Sequence, residues 1–87
     1  MEEKFKAAAK LAYEHAKGRW DKVLATGGET ECLIESTDVF HALDLAGLPP
    51  TDQNELAVED VLSDLGYYTL AATAFKATQA NRTAFGS

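Results

Sequence analysis

The sequence predicts an α+β domain, mainly α, with three helices, a short strand after the first helix and a C-terminal hairpin. Three observations predict it. Apolar residues recur at steps of three and four in three separate segments, which is the spacing of one helix face. Between the first two lies "ETECLIES" (29–36), too short for a helical pattern, with Cys32, Leu33 and Ile34 in a row, so it reads as a strand. A strand is not stable alone, and only the C-terminal tail is left to pair with it. The competing reading of that tail is a fourth helix, which would make the chain an all-α four-helix domain.

The first helix spans roughly 2–25. Phe5, Ala8, Ala9, Ala12, Tyr13, Ala16, Trp20, Val23 and Leu24 form one apolar stripe. Glu2 precedes Lys6 by four residues and Glu14 precedes Lys17 by three, spacings that pair opposite charges on the solvated face. Gly18 interrupts the segment at a cost of about 1 kcal/mol, yet the stripe continues in phase to Trp20, and "TGG" (26–28) ends it.

Ser36 or Thr37 is placed to cap a second helix, with Asp38 near its positive end. Val39, Phe40, Leu43 and Ala46 make its buried face. "AGLPP" closes it: Gly47 can turn left-handed, Leu48 can fold back, and the prolines block continuation. Asp52 followed by Glu55 resembles a capping box for a third helix over about 53–65, which would bury Ala57 or Val58, Val61, Leu62 and Leu65. Gly66 stops it and Tyr67 is the expected apolar contact after the stop. In the tail, Tyr67, Leu70, Ala71, Ala74, Phe75 and Thr78 fit a helix stripe. Its threonines and paired tyrosines favour strands instead, with a turn near "TQANR".

Eighty-seven residues suffice for one domain with one modest core. An apolar share of 46% with 25% charged residues is that of a folded chain. The single cysteine, Cys32, cannot form an internal disulfide, and no apolar run approaches the roughly 20 residues that span a membrane. The start, "MEEKFKAAAK", does not read as a signal peptide, so the expected location is the cytoplasm.

The net charge of −6 is unevenly spread. All eight basic residues lie before Val23 or after Phe75, and the interval between them carries −10. Such a segment repels phosphate and attracts basic surfaces, unless it serves only solubility.

Little points to catalysis. His15 and His41 are the two imidazoles, and no CxxC, HxxxH or HExxH spacing offers a metal site. "GG" at 27–28 lacks the lysine and hydroxyl residue of a phosphate loop. The expectation is a protein that is not an enzyme and holds no cofactor or metal.

Helix, strand, helix, turn, helix, hairpin is the order of a winged-helix domain. The stretch "ESTDVFHALDLAGLPPTDQNELAVEDVLSDLGYY" resembles the winged-helix end of phage and plasmid helicase-primases and virulence-associated E proteins, with a weaker echo in "NRTAF" as a returning wing strand. The resemblance covers about residues 30–68 and implies that the third helix occupies the recognition position. Members that bind nucleic acid carry Arg or Lys there, whereas this chain carries Glu55, Glu59, Asp60 and Asp64.

Two of those acids, Glu55 and Glu59, are like charges four apart, as are Asp60 and Asp64, and Asp64 faces the negative helix end. Local rules broken without compensation mark a candidate functional face. The leading expectation is therefore a protein-binding module, an inhibitor or adaptor from a phage or mobile element. Its four acids would dock on a basic partner surface, including one that ordinarily holds nucleic acid, which would make the chain a DNA mimic. The alternative is DNA binding through Lys76 and Arg82 on the wing and Lys10 and Lys17 on the first helix. A third class is a dimeric module using surplus aromatics among Trp20, Tyr67, Tyr68, Phe75 and Phe85.

Overall fold

The computed structural model describes the backbone of residues 2–86 and the side chains of residues 3–76. It contains four helices: α1 (Glu2–Ala25), α2 (Ser36–Leu45), α3 (Asp52–Asp64) and α4 (Tyr67–Gly86). Among the described residues there is no strand. The α+β winged-helix expectation is thereby overturned, and the all-α four-helix arrangement takes its place.

The correction has two physical causes. Residues 29–35 form an irregular segment that pairs with no strand, and Cys32 in its middle has a φ of 56°, outside the strand region. The side chains of α1 hold them instead: Arg19 Nη2 donates to the Leu33 carbonyl at 2.9 Å and Trp20 Nε1 donates to the same oxygen at 3.0 Å. These two bonds hold the segment against α1, and the left-handed Cys32 interrupts any regular strand there. The tail is then free to follow its alanine content and its three-four spacing into α4, against the strand preference of its threonines. Thr73 returns its hydroxyl to the Thr69 carbonyl at 2.9 Å, an i−4 bond that fits a helix.

The core forms along α1. Ala8, Ala9 and Ala12 are fully buried, and their small side chains let α2 and α3 approach closely. Val39, Ala42 and Leu43 from α2 and Val58 and Leu62 from α3 complete this cluster, with Leu48 closing it from the turn. Full burial of each Val or Leu contributes about 1.5–3 kcal/mol. A second cluster joins Ala16, Trp20, Cys32 and Ala71, and brings α4 onto the far end of α1. Tyr13 links the two: its ring meets Trp20 edge-on at 6.0 Å between centroids and Tyr67 at 5.1 Å.

The helix ends follow the expected stops. Gly27, Gly47 and Gly66 have φ of 80°, 74° and 79°, a region that a Cβ penalises. Gly28 N–H reaches Val23 O at 2.9 Å and Leu48 N–H reaches Leu43 O at 2.9 Å, the six-to-one bonds of a Schellman stop. The starts differ from expectation by one residue. Glu35, not Ser36 or Thr37, is the N-cap of α2. Thr51 caps α3 by accepting the Asn54 N–H at 3.2 Å, so Asp52 already lies inside the helix and forms no capping box with Glu55.

Candidate functional site

The four predicted acids divide into two groups on α3. Asp60 and Asp64 are exposed, while Glu55 and Glu59 are half-buried, and Glu55 Oε2 is covered without a hydrogen-bond donor among the described residues. Asp52, Leu56, Asp60 and Asp64 recur at steps of four, so they form one stripe, and all four are exposed. Leu56 is 59% exposed in the middle of that stripe. No described residue forms an ion pair with any α3 acid. The structure thus moves the centre of the acidic face from Glu55 towards Asp52, and it adds an apolar residue that charge counting passed over. Helical spacing alone could have found it, because Leu56 falls on the acids' own row and off the row of the buried Val58 and Leu62.

The basic residues of the alternative reading are not gathered. Lys10 and Lys17 are exposed on α1. Lys76 is exposed on α4, which is a helix and not a wing, so the wing-borne contact is withdrawn. The Arg82 side chain lies outside the described residues, as does that of Phe85. The "NRTAF" stretch, expected as a wing strand, is helical in its backbone.

A second group of polar residues was not singled out from sequence. Asp38 is the one fully buried charged side chain among the described residues. Its Oδ1 bonds His15 Nδ1 at 2.6 Å, and its Oδ2 accepts from Arg19 Nη2 at 2.9 Å and from the Glu35 N–H at 2.8 Å. Burial by itself would push this carboxyl up. The Arg19 guanidinium, the Glu35 amide and His15 together outweigh burial and hold it below the usual carboxylate range. Arg19 is raised in turn, chiefly by its bond to Asp38. The His15 ring stacks on His41 with centroids 4.2 Å apart. The signal in the sequence was weak: an Asp at the third position of a helix is ordinary, and its partners sit 19 and 23 residues away.

This network reads as a structural pin. Both Asp38 oxygens are engaged, and a carboxylate held ionised is a poor proton donor. Cys32 is buried, and burial and then Asp21 push its thiol up, away from the reactive thiolate. His15 hydrogen-bonds Asp38, and among the described residues neither imidazole bonds the thiol. No group of three His, Cys, Asp or Glu side chains among the described residues could hold a metal ion.

An apolar groove runs between the 29–35 segment and α4. It encloses about 450 Å³ and is lined by Cys32, Leu33, Ile34, Tyr68, Ala72 and Phe75 among others. Leu33 and Tyr68 on its sides are 53% and 41% exposed. Among the described residues no helix is long and apolar enough to cross a membrane.

Comparison of the chain with protein-family models, curated proteins and solved structures found no match.

Proposed function

We propose that the chain is a protein-binding module whose α3 stripe docks on a basic surface of a partner protein. One observation carries this reading: Leu56 stands exposed between Asp52, Asp60 and Asp64, with no described base paired to them. An interface works best with a desolvated apolar anchor inside a polar rim, and this stripe supplies both on one rigid helix. The acids would select a positive patch and speed encounter with it, while the leucine would fill a pocket at its centre. A basic surface that normally holds nucleic acid meets the description, so the DNA-mimic form of the reading stands. The resemblance of about residues 30–68 to helicase-primase sequences supports placing the chain among the inhibitors or adaptors of mobile elements. Such a protein requires no catalytic residue.

The test is affinity capture with the tagged chain, followed by mass spectrometry, beside two variants. Combined Asp52→Lys, Asp60→Lys and Asp64→Lys substitutions should abolish recovery of basic partners. Leu56→Ala should reduce it while leaving helicity unchanged, since Leu56 is exposed. Equal recovery by the wild type and the triple variant would rule the reading out.

A further inference from the structure

The surface of this chain is larger than its mass requires. A 9.4 kDa folded monomer exposes about 5000 Å² by the usual scaling, whereas this chain exposes 5740 Å². The molecule is also elongated, 48 × 23 × 17 Å, with a radius of gyration of 14.1 Å against about 12 Å expected for its length.

The uncovered apolar surface has a definite place. On α4, Tyr68, Ala72 and Phe75 follow one another at steps of four and three and line the groove from one side, while Leu33 lines it from the other. Tyr68 is exposed, Phe75 half-buried and Ala72 exposed, so the stripe is turned partly outward. Ala72 at its centre, flanked by Thr69 and Thr73, lets another helix approach closely. Leu70, also on α4, is 49% exposed.

Charge selects what covers it. Lys76 is the one described base on α4 and is exposed at the end of the stripe. At the other end, Tyr68 lies within electrostatic reach of Glu59 and Asp60; its phenol is raised first by burial and then by these two acids. A helix laid antiparallel on α4 about a two-fold axis at Ala72 exchanges these ends, placing residue 76 of each copy opposite residue 68 of the other. Lys76 would then meet an acidic pair.

We propose that a second copy of this chain covers the groove, forming an antiparallel α4–α4 dimer in which Ala72 lies at the two-fold axis, Tyr68, Phe75 and Leu33 make the apolar contact, and Lys76 of each copy pairs with Glu59 and Asp60 of the other. Both copies use the same patch, as a two-fold interface demands. The dimer does not rest on the docking role of α3. Asp60 belongs to both surfaces, so self-association and partner docking exclude one another at that residue.

Sedimentation velocity of the purified full chain, with no partner present, tests the dimer across the micromolar range. The wild type should shift from monomer to dimer as concentration rises. Ala72→Glu alters an exposed position, and retained helicity by circular dichroism will confirm that it folds. It should weaken association by at least about tenfold, because it buries two like charges at the axis. Lys76→Glu should weaken it about tenfold across the two symmetric pairs, and adding Asp60→Lys should recover most of the loss. A monomer at every concentration would overturn the proposal, as would a dimer indifferent to Ala72→Glu. A charge-swapped double variant no better than Lys76→Glu alone would overturn the antiparallel arrangement.

Discussion

Asp38 is the residue on which the arrangement of α1, the 29–35 segment and α2 turns. Its two oxygens tie His15 and Arg19 of α1 to the amide that begins α2, and Arg19 also holds the Leu33 carbonyl. Asp38→Asn keeps the shape but removes Arg19's buried counter-charge, leaving it only Glu35 Oε2 at 4.0 Å. We expect a loss of about 2 kcal/mol in denaturant unfolding, at the low end for a broken buried pair because the Arg19 and His15 side chains remain 35% and 39% exposed. The folded Asp38 carboxyl titrates below its unfolded counterpart. Its stabilisation is therefore complete above about pH 4 and is lost as pH falls through the folded value. Denaturant midpoints measured from pH 7 to pH 2 should show the gap between wild type and Asp38→Asn closing below about pH 4; a gap unchanged by pH would show that Asp38 is not ionised in the fold.

Among the elements, α1 and α4 show where local rules were and were not decisive. Gly18 stands inside α1, and a Cβ built there would meet nothing within 4 Å. No packing reason keeps a glycine at this position. Gly18→Ala should raise stability by about 1 kcal/mol and the thermal midpoint by roughly 4–8 °C, as read by thermal unfolding. The stripes of the first three helices and their glycine stops were legible because spacing and positive φ are local properties. The cap residues shifted by one because Thr51 and Glu35 compete with their neighbours, and hydrogen-bond geometry settles that contest. For α4 the local signals were divided, alanine against threonine. The hairpin expectation depends on a strand at 29–35, and none forms there. Arg19 and Trp20, more than ten residues away in sequence, supplied bonds that no local pattern displays.

For the whole molecule, the separation of charge limits the range of partners. The chain between Val23 and Phe75 carries −10, and α3 presents Asp52, Asp60 and Asp64 outward. Phosphate binding depends on neutralisation by Lys and Arg, and each acid near the backbone subtracts from it. A fluorescence-anisotropy titration at low salt should therefore find no binding to duplex DNA. Tight binding that falls steeply with salt would instead favour the contacts through Lys10, Lys17 and Lys76.

Of the candidate site, the sequence alone showed the acids and the absence of bases near them, because charge is countable without a fold. It also determined three helices, their stops and most of their faces, through spacing and glycine conformation; Leu65, expected in the buried face of the third, is 48% exposed just past its end. The tertiary structure decided the rest. It chose helix over hairpin for the tail, because the 29–35 segment, interrupted by the left-handed Cys32 and held by Arg19 and Trp20, offers no strand to pair with. It withdrew Glu55 from the exposed row and placed Leu56 among the acids, because solvent exposure depends on which neighbours cover a helix. It also buried Asp38 between Arg19 and His15, a contact set by the docking of α2 on α1 that periodicity along one strand of sequence does not contain.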